Sequence, residues 1–186
     1  MMWGLKKQPI KADRFVLSQN SYEEFISWLS NKVAEHEYEE VEYPEGKHFQ
    51  SKVFIKFCFS CDIFILTAKV EEFLPTTIKL VNRQLYKFKK RYFGADGQSN
   101  KNYFVPIICV ERLTSSFLDC MNKNIEQQPH YYSDYNAIRL PVGISFPSKT
   151  VYIAKQRGGA GIIAYKKLRK EFFKIMGDNI RQISTY

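Results

Sequence analysis

The chain has 186 residues, 45% of them hydrophobic and 25% charged, and its formal net charge is +9. This length fits a single domain, residues 1–186, in which residues 1–20 are a candidate N-terminal extension. An aromatic content of 16% excludes a disordered polar chain. No apolar run has the length of a signal peptide or a bilayer span, so we expect a cytoplasmic protein with no membrane partner.

Charge is distributed unevenly along the sequence. Residues 21–46 contain eight Glu and one Lys. Residues 79–101 contain seven Lys or Arg and one Asp, and residues 155–181 contain eight Lys or Arg against one Glu and one Asp. Two interpretations remain open. These segments are ordinary solvated faces, or the two basic segments form one surface for nucleic acid or another polyanion.

The first predicted helix begins at a capping signal. Ser21 followed by Glu24 is a capping-box pattern, and the apolar residues behind it share one helical face over Tyr22–Ala34. The sequence EYEEVEY that follows alternates imperfectly between apolar and acidic residues. This alternation predicts an edge strand with one solvated face.

Two runs rich in β-branched and aromatic residues, Lys52–Phe59 and Ile63–Val70, predict a β-hairpin. Cys58 and Cys61 form C-F-S-C, which suggests either a zinc half-site or a redox pair. No second cysteine pair has this spacing and no histidine lies close in sequence, so buried reduced thiols are the better interpretation.

The stretch LPTTIKLVNRQLYKFKKRY, residues 74–92, has unbroken helical periodicity. Its apolar residues recur at intervals of three or four and form one stripe: Leu74, Ile78, Val81, Leu85, Phe88 and Tyr92. The basic residues of the opposite side are Lys79, Arg83, Lys87 and Lys90. The pattern predicts a helix of about five turns, which packs its apolar stripe on the flanking strands and presents its basic side outward.

The run Tyr103–Val110 is nearly continuous in apolar residues, as expected of a strand covered on both faces. Thr114 or Ser115 then caps a short helix, and the polar, tyrosine-rich residues 122–136 predict a long loop. This part of the chain therefore predicts a central strand, a short helix and a surface segment.

A second hairpin is predicted from Ile138–Phe146 and Thr150–Lys155. Residues 164–175 predict a last amphipathic helix, backed by Lys166 and Lys170. The complete order is αβββαβαββα. We therefore expect an α+β domain with a mixed central sheet, on which the long amphipathic helix packs.

A glycine-rich segment precedes the last helix. Residues 158–164 formally contain G-x-G-x-x-A, a pattern that lets a phosphate approach backbone N–H groups at a helix start, beside the charge of Arg157. Only 22 residues follow Ala164, too few for the next strand of a dinucleotide-binding unit. A simpler anion site at Arg157, Gly159 and Gly161 remains open, beside the interpretation that the glycines only permit a sharp turn.

The element order over Tyr22–Val110 is similar to the common core of the restriction-endonuclease-like PD-(D/E)xK family. In that family an Asp and a (D/E)-x-K pair on adjacent strands hold a divalent metal, which activates water for phosphodiester cleavage. Lys69 takes the position of the family lysine, and Glu24 matches a helix position at which some members carry an extra carboxylate. Thr67 stands where the acidic residue is expected, and Asp62 precedes the same strand instead of lying on its neighbour.

A second, minor resemblance concerns the tripeptide Leu140-Pro141-Val142. Followed by a hairpin and a helix, it resembles the end of the thioredoxin-like fold. In that family the C-x-x-C opens a helix, whereas here strand-forming residues follow Cys61. This resemblance implies no redox activity.

The first resemblance implies that Asp62, Lys69 and Glu24 are the candidate catalytic residues, and that no cofactor is needed except Mg²⁺ if the chain is a nuclease. Because the motif is incomplete, we expect no enzymatic activity, and metal-dependent nuclease chemistry is the form it would otherwise take. The leading hypothesis is a nucleic-acid-associated protein with a degenerate nuclease-like core. Its candidate phosphate-binding residues are Lys79, Arg83, Lys87, Lys90, Arg157, Gly159, Gly161, Lys166 and Lys170.

The alternative hypothesis is a non-enzymatic interaction module. In it, the acidic residues 35–45 of one protomer meet the basic surface of another chain. An acidic protein partner bound to that basic surface is the other form of this hypothesis. A homo-oligomer is one form that such an assembly takes.

Overall fold

The computed structural model describes residues 12–42, 50–58, 61–71, 76–77, 80–81, 83–84, 87, 101–126, 137–155 and 162–183. The strands among them are β1 (Ala12–Leu17), β2 (Glu39–Val41), β3 (Gln50–Cys58), β4 (Cys61–Lys69), β5 (Lys101–Cys109), β6 (Ala137–Arg139), β7 (Val142–Ser145), β8 (Thr150–Ala154) and β9 (Ile180–Gln182). The helices are α1 (Tyr22–Glu35), α2 (Ser115–Glu126) and α3 (Ile162–Met176).

The strands form one nine-stranded mixed sheet. Their spatial order is β2-β3-β4-β5-β7-β8-β1-β9, and β6 also pairs with β5. β4, β5 and β7 run parallel to one another, whereas the other neighbours along this path are antiparallel. The predicted α+β class with a mixed sheet is therefore confirmed. No helix in the described part of the chain is long and apolar enough to cross a membrane.

Both predicted hairpins are present. β3 and β4 pair along their whole length, from Gln50 opposite Lys69 to Cys58 opposite Cys61, so the C-x-x-C joins two strands and does not open a helix. β7 and β8 form the second hairpin. The predicted central strand is β5, which lies between β4 and β7 and is buried over 103–110.

The strand predicted over Ile138–Phe146 is divided into β6 and β7. Both pieces keep one register with β5, since Phe104 lies opposite Arg139 and Ile107 lies opposite Val142. This register brings two prolines, residues 106 and 141, to facing positions. Because proline has no backbone N–H, the ladder is interrupted there, and the sequence alone did not show that the two prolines face each other.

Three features differ from the sequence prediction. Residues 12–17, assigned to a candidate N-terminal extension, form β1 inside the sheet, between β8 and β9. Residues 180–182 form β9 after the last predicted helix and pair with β1. α2 continues to Glu126, into the segment predicted to be a loop. β1 and β9 were not predicted because neither has a local strand signal: each face of β1 mixes charged and apolar residues, and β9 has only three residues.

α1 and α3 pack together on one face of the sheet, called the α1 face here. Tyr22 of α1 contacts Thr67 of β4 through their hydroxyl groups, 3.2 Å apart. Phe173 of α3 packs on Phe15 of β1, with ring centroids 5.3 Å apart. The apolar stripes of both helices, including the fully buried Phe25, thus form the core on this face.

α2 covers the opposite face of the sheet, called the α2 face here. Gly143 of β7 lies directly under it, and a Cβ atom at this position would stand 2.9 Å from Leu113 Cδ2 and 2.9 Å from Phe117 Cζ. The missing side chain therefore lets the helix approach the sheet closely.

The helix predicted over residues 74–92 is described only in part. The described residues from Thr77 to Lys87 are helical, and the Leu80 N–H donates to the Thr76 carbonyl oxygen at 2.9 Å. Val81, a member of the predicted apolar stripe, is fully buried. The other members of the stripe, among them Leu85, lie outside the described residues.

Candidate functional site

The carboxyl ends of the parallel strands β4 and β5 lie side by side, with Lys69 opposite Cys109. The first turn of α1 lies beside them on the α1 face, where Tyr22 contacts Thr67. In open sheets with parallel strands, ligand sites form at this edge. This edge also carries Lys69, the lysine predicted to be catalytic, so it is the candidate functional site.

Lys69 makes an ion pair at this edge. Its Nζ lies 2.8 Å from Glu23 Oε1 and 5.3 Å from the centre of the Tyr22 ring. The hydrogen bond from Lys69 is the main reason why the pKa of Glu23 is lowered. Both side chains are largely exposed, 46% for Lys69 and 65% for Glu23, so this pair contributes little to stability.

A buried hydroxyl pair lies beneath the ion pair. Tyr22 and Thr67 share a hydrogen bond, and Thr67 Oγ1 also accepts from the Lys52 backbone N–H at 3.2 Å. Burial raises the pKa of Tyr22 to about 12, so its hydroxyl stays protonated at neutral pH. The Cys109 thiol is also buried, and burial raises its pKa, which leaves it a poor nucleophile.

The predicted catalytic residues do not meet. Asp62 and Lys69 lie at opposite ends of β4, and seven steps of about 3.3 Å separate them by roughly 23 Å. An odd number of steps also points their side chains to opposite faces of the sheet. Asp62 is buried on the α2 face.

Glu24, the third predicted catalytic residue, takes part in the N-terminal capping of α1, whose N-cap residue is Ser21. Its backbone N–H donates to Ser21 Oγ at 3.1 Å, and its carboxylate accepts from the Asn20 backbone N–H at 2.9 Å. The carboxylate beside Lys69 belongs instead to its neighbour Glu23. Glu23 was not predicted, because only the rotation of α1 about its axis decides which of the two glutamates reaches the strand.

The described residues include no group of three or more His, Cys, Asp or Glu side chains able to hold a metal ion. At the position that resembles the PD-(D/E)xK motif, Thr67 replaces the acidic residue and lies opposite Lys52 on the adjacent strand. Neither side chain is a ligand that a hard divalent cation prefers. The described part of this edge therefore has Thr67 and Lys52 where the family motif has carboxylates.

Lysines of the same chain pair with four of the seven described glutamates of the acidic segment, and Glu24, Glu39 and Glu42 have no described ion pair. Besides the pair at Glu23, Glu35 lies 2.7 Å from Lys32, and Glu37 lies 3.2 Å from Lys56. Glu40 pairs with Lys52. Four of the glutamates described in residues 21–42 thus have a basic partner.

The outer surface of α3 is different. Lys166, Lys167 and Lys170 are exposed and follow helical spacing, so they form one surface that we call the α3 lysine face. Within the described part of the chain, none of the three has an ion pair. By contrast, Arg169 pairs with Asp13, and Lys174 lies 2.8 Å from Glu171.

The other predicted basic surface is seen at Arg83 and Lys87. Both are exposed, and neither has an ion pair among the described residues. The crossovers from β4 to β5 and from β5 to β7 advance across the sheet in the same direction. Right-handed crossovers in one direction place their helices on one face, so we expect Arg83 and Lys87 on the α2 face, with α2. The α3 lysine face is then on the other side of the sheet.

The remaining predicted anion-binding residues are Lys79, Lys90, Arg157, Gly159 and Gly161. They lie outside the described residues, and α3 begins directly after this glycine-rich segment, at Ile162.

Comparison of the chain with protein-family models, with curated proteins and with solved structures gives no match. The fold and the charge distribution are therefore the basis for a functional proposal.

Proposed function

We propose that the protein binds the phosphate backbone of nucleic acid through the α3 lysine face, and that it is not a metal-dependent nuclease. The observation that carries this proposal is the segregation of paired and unpaired charge. Four glutamates of residues 21–42 are paired with lysines of α1, β3 and β4, whereas three lysines on one side of α3 have no ion pair with a described carboxylate.

Three unpaired ammonium groups on one helix face favour a polyanion as the ligand. A duplex carries one negative charge per roughly 1.7 Å of its axis, so several lysines on a rigid helix engage neighbouring phosphates at once. Lysine is a flexible point charge without the planar fork that reads base edges. We therefore expect binding that depends weakly on base sequence.

The strand pairing supports a distant relation to the restriction-endonuclease-like core. The elements follow one another in the order of that core: α1, then the antiparallel strands β2, β3 and β4, then the described helical residues from Thr77 to Lys87, and then β5, which is parallel to β4. Within this proposal the core is degenerate, because Thr67 and Lys52 occupy places where metal-binding carboxylates would be needed. It serves as a scaffold for binding.

The alternative, a module whose acidic segment meets the basic surface of another chain, has weaker support. It requires accessible carboxylates without partners. Glu35, Glu37 and Glu40 each already have a lysine partner in their own chain. Of the other described glutamates in the proposed acidic surface, Glu39 and Glu42 are exposed and have no described ion pair, so only a part of this surface is available. Breaking such exposed ion pairs costs little free energy, but the lost pairs offset the electrostatic gain from contact with the other chain.

The test is fluorescence anisotropy with labelled duplex and single-stranded oligonucleotides at low salt. The informative variant is the double charge reversal Lys166→Glu with Lys170→Glu. Its matched control is Arg83→Glu with Lys87→Glu, which changes the net charge equally at another exposed helix. Circular dichroism and thermal melting verify that both variants remain folded.

The proposal predicts that the α3 variant loses most of the binding, while the control variant retains more of it. A wild-type protein that binds no oligonucleotide at low salt would refute the proposed function. Binding lost only in the Arg83 and Lys87 variant would transfer the site to the other side of the sheet and overturn the role of α3.

A further inference from the structure

One part of the sheet is left open on the α2 face. α2 lies over Gly143 of β7, and Tyr152 of β8 is the direct cross-strand neighbour of that glycine. Beyond Tyr152, the side chains of β1 and β9 on this face are exposed: Arg14, Val16 and Arg181. Val16, an apolar residue, is 42% exposed. The described helices therefore leave this end of the sheet uncovered.

The open surface combines a planar cation, an aromatic ring and a second arginine. Arg14 lies opposite Tyr152 in the β1–β8 ladder, and its guanidinium carbon is 5.8 Å from the centre of the tyrosine ring. On the other side, Val16 lies opposite Arg181 of β9. Strand alternation sends Asp13, the acidic residue of β1, to the α1 face, where Arg169 holds it. Among the described side chains of these three strands, none on the open face is acidic.

We propose that this surface, Arg14, Val16, Tyr152 and Arg181, binds single-stranded nucleic acid by base stacking. The guanidinium of Arg14 already lies over an aromatic ring, 5.8 Å from its centre, and a base stacks on an exposed guanidinium plane. Val16 supplies apolar contact to the base, and Arg181 reaches the adjacent phosphate. A duplex has no unstacked base to offer, so this surface selects single strands.

This inference goes beyond the proposed function, because it concerns the opposite face of the sheet and a different chemistry. The α3 lysine face attracts phosphates of any nucleic acid, whereas the open face discriminates between stacked and unstacked bases. The two surfaces are separated by the sheet itself. Each can therefore be removed by substitution without touching the other.

The probe is a single strand of about ten nucleotides, as DNA and as RNA, carrying 2-aminopurine, whose fluorescence falls when the base stacks on a side chain. The decisive variant is Arg14→Lys, which keeps the charge and removes the stacking plane. Arg112→Lys is the matched control, because Arg112 is also exposed and its guanidinium makes no described contact with an aromatic ring.

The expected result is a loss of at least about fivefold in single-strand affinity for Arg14→Lys, together with loss of the 2-aminopurine quenching. Duplex affinity stays unchanged, and Arg112→Lys behaves like the wild type. In a second pair, Tyr152→Phe retains the quenching and Tyr152→Leu loses it, since only the ring is required. The charge reversal of α3 lowers affinity but leaves the quenching at saturation.

Quenching that persists in a folded Arg14→Lys variant, or a wild-type protein that binds single strands without quenching, would overturn this inference. Neither result bears on duplex binding by the α3 lysine face. Conversely, an α3 variant with normal duplex affinity would refute the proposed function and leave base stacking in place.

Discussion

The buried hydroxyl of Tyr22 makes the stability of the fold depend on pH in a way that one substitution removes. Tyr22 is 3% exposed, and its hydroxyl lies 3.2 Å from Thr67 Oγ1 between α1 and β4. Burial raises its pKa from 10.0 to about 12. We expect Tyr22→Phe to remove this pH dependence and, near neutral pH, to cost about 1 kcal/mol for the lost hydrogen bond.

Proton linkage gives the direction in which the stability changes with pH. The folded protein holds the Tyr22 proton more tightly than the unfolded chain does. The stability that this proton contributes is therefore fully present below pH 10 and is lost as the pH rises towards about 12. A difference of about two pKa units corresponds to roughly 2.7 kcal/mol, about half of which, roughly 1.4 kcal/mol, is lost near pH 11. The wild type should therefore be more stable than the variant near neutral pH, and less stable above about pH 11.

The assay is urea unfolding of both proteins at several values between about pH 8 and about pH 11, followed by circular dichroism. Other tyrosines and the lysines titrate in the same range, but they are common to both proteins and cancel in the difference. If the unfolding free energies of the two proteins, plotted against pH, stay parallel across this range, the Tyr22 hydroxyl is not buried as the structure has it.

Three further predictions concern the core and the edge of the sheet. Gly143→Ala should cost about 1–3 kcal/mol, because the new methyl group overlaps Phe117, and Phe117→Leu should recover part of that cost in a double-mutant cycle measured by urea unfolding. Val81→Asp should make the protein insoluble or unfolded, since it places an unpaired charge in the core, and a soluble variant with a cooperative melt would contradict the packing of this helix. Added Mg²⁺ or Mn²⁺ should leave bound strands intact on a denaturing gel, whereas cleavage that Lys69→Ala abolishes would restore the nuclease interpretation.

Local patterns in the sequence were enough to predict the elements whose signals are complete within one segment. The β3–β4 hairpin, the buried β5 and the capped α1 each carry their own periodicity, and each is present within one or two residues of its predicted bounds. β1 and β9 are different, since neither has a clear apolar–polar alternation of its own. A short strand of this kind has no local signature when its hydrogen bonds and its apolar contacts come from distant parts of the chain.

The same limit applies to the candidate site. The sequence predicted that Lys69 would lie at the end of a strand, and Lys69 ends β4. It did not predict that Glu23 instead of Glu24 would be its partner, because this depends on how α1 is rotated on the sheet. Nor did it predict that Glu37 and Glu40 would pair with lysines of β3, because those pairs form only when β2 and the turn before it lie beside β3.

The measurement that tests the central claim most directly is the salt dependence of duplex binding by the wild type and by the variant with Lys166→Glu and Lys170→Glu. Three phosphate contacts predict a slope of about −2.7 for the logarithm of the binding constant against the logarithm of the salt concentration. Removing two contacts should bring the slope to about −0.9 or less in magnitude. Equal slopes for the two proteins would contradict the account, because the lysines of α3 would then make no contact with phosphate.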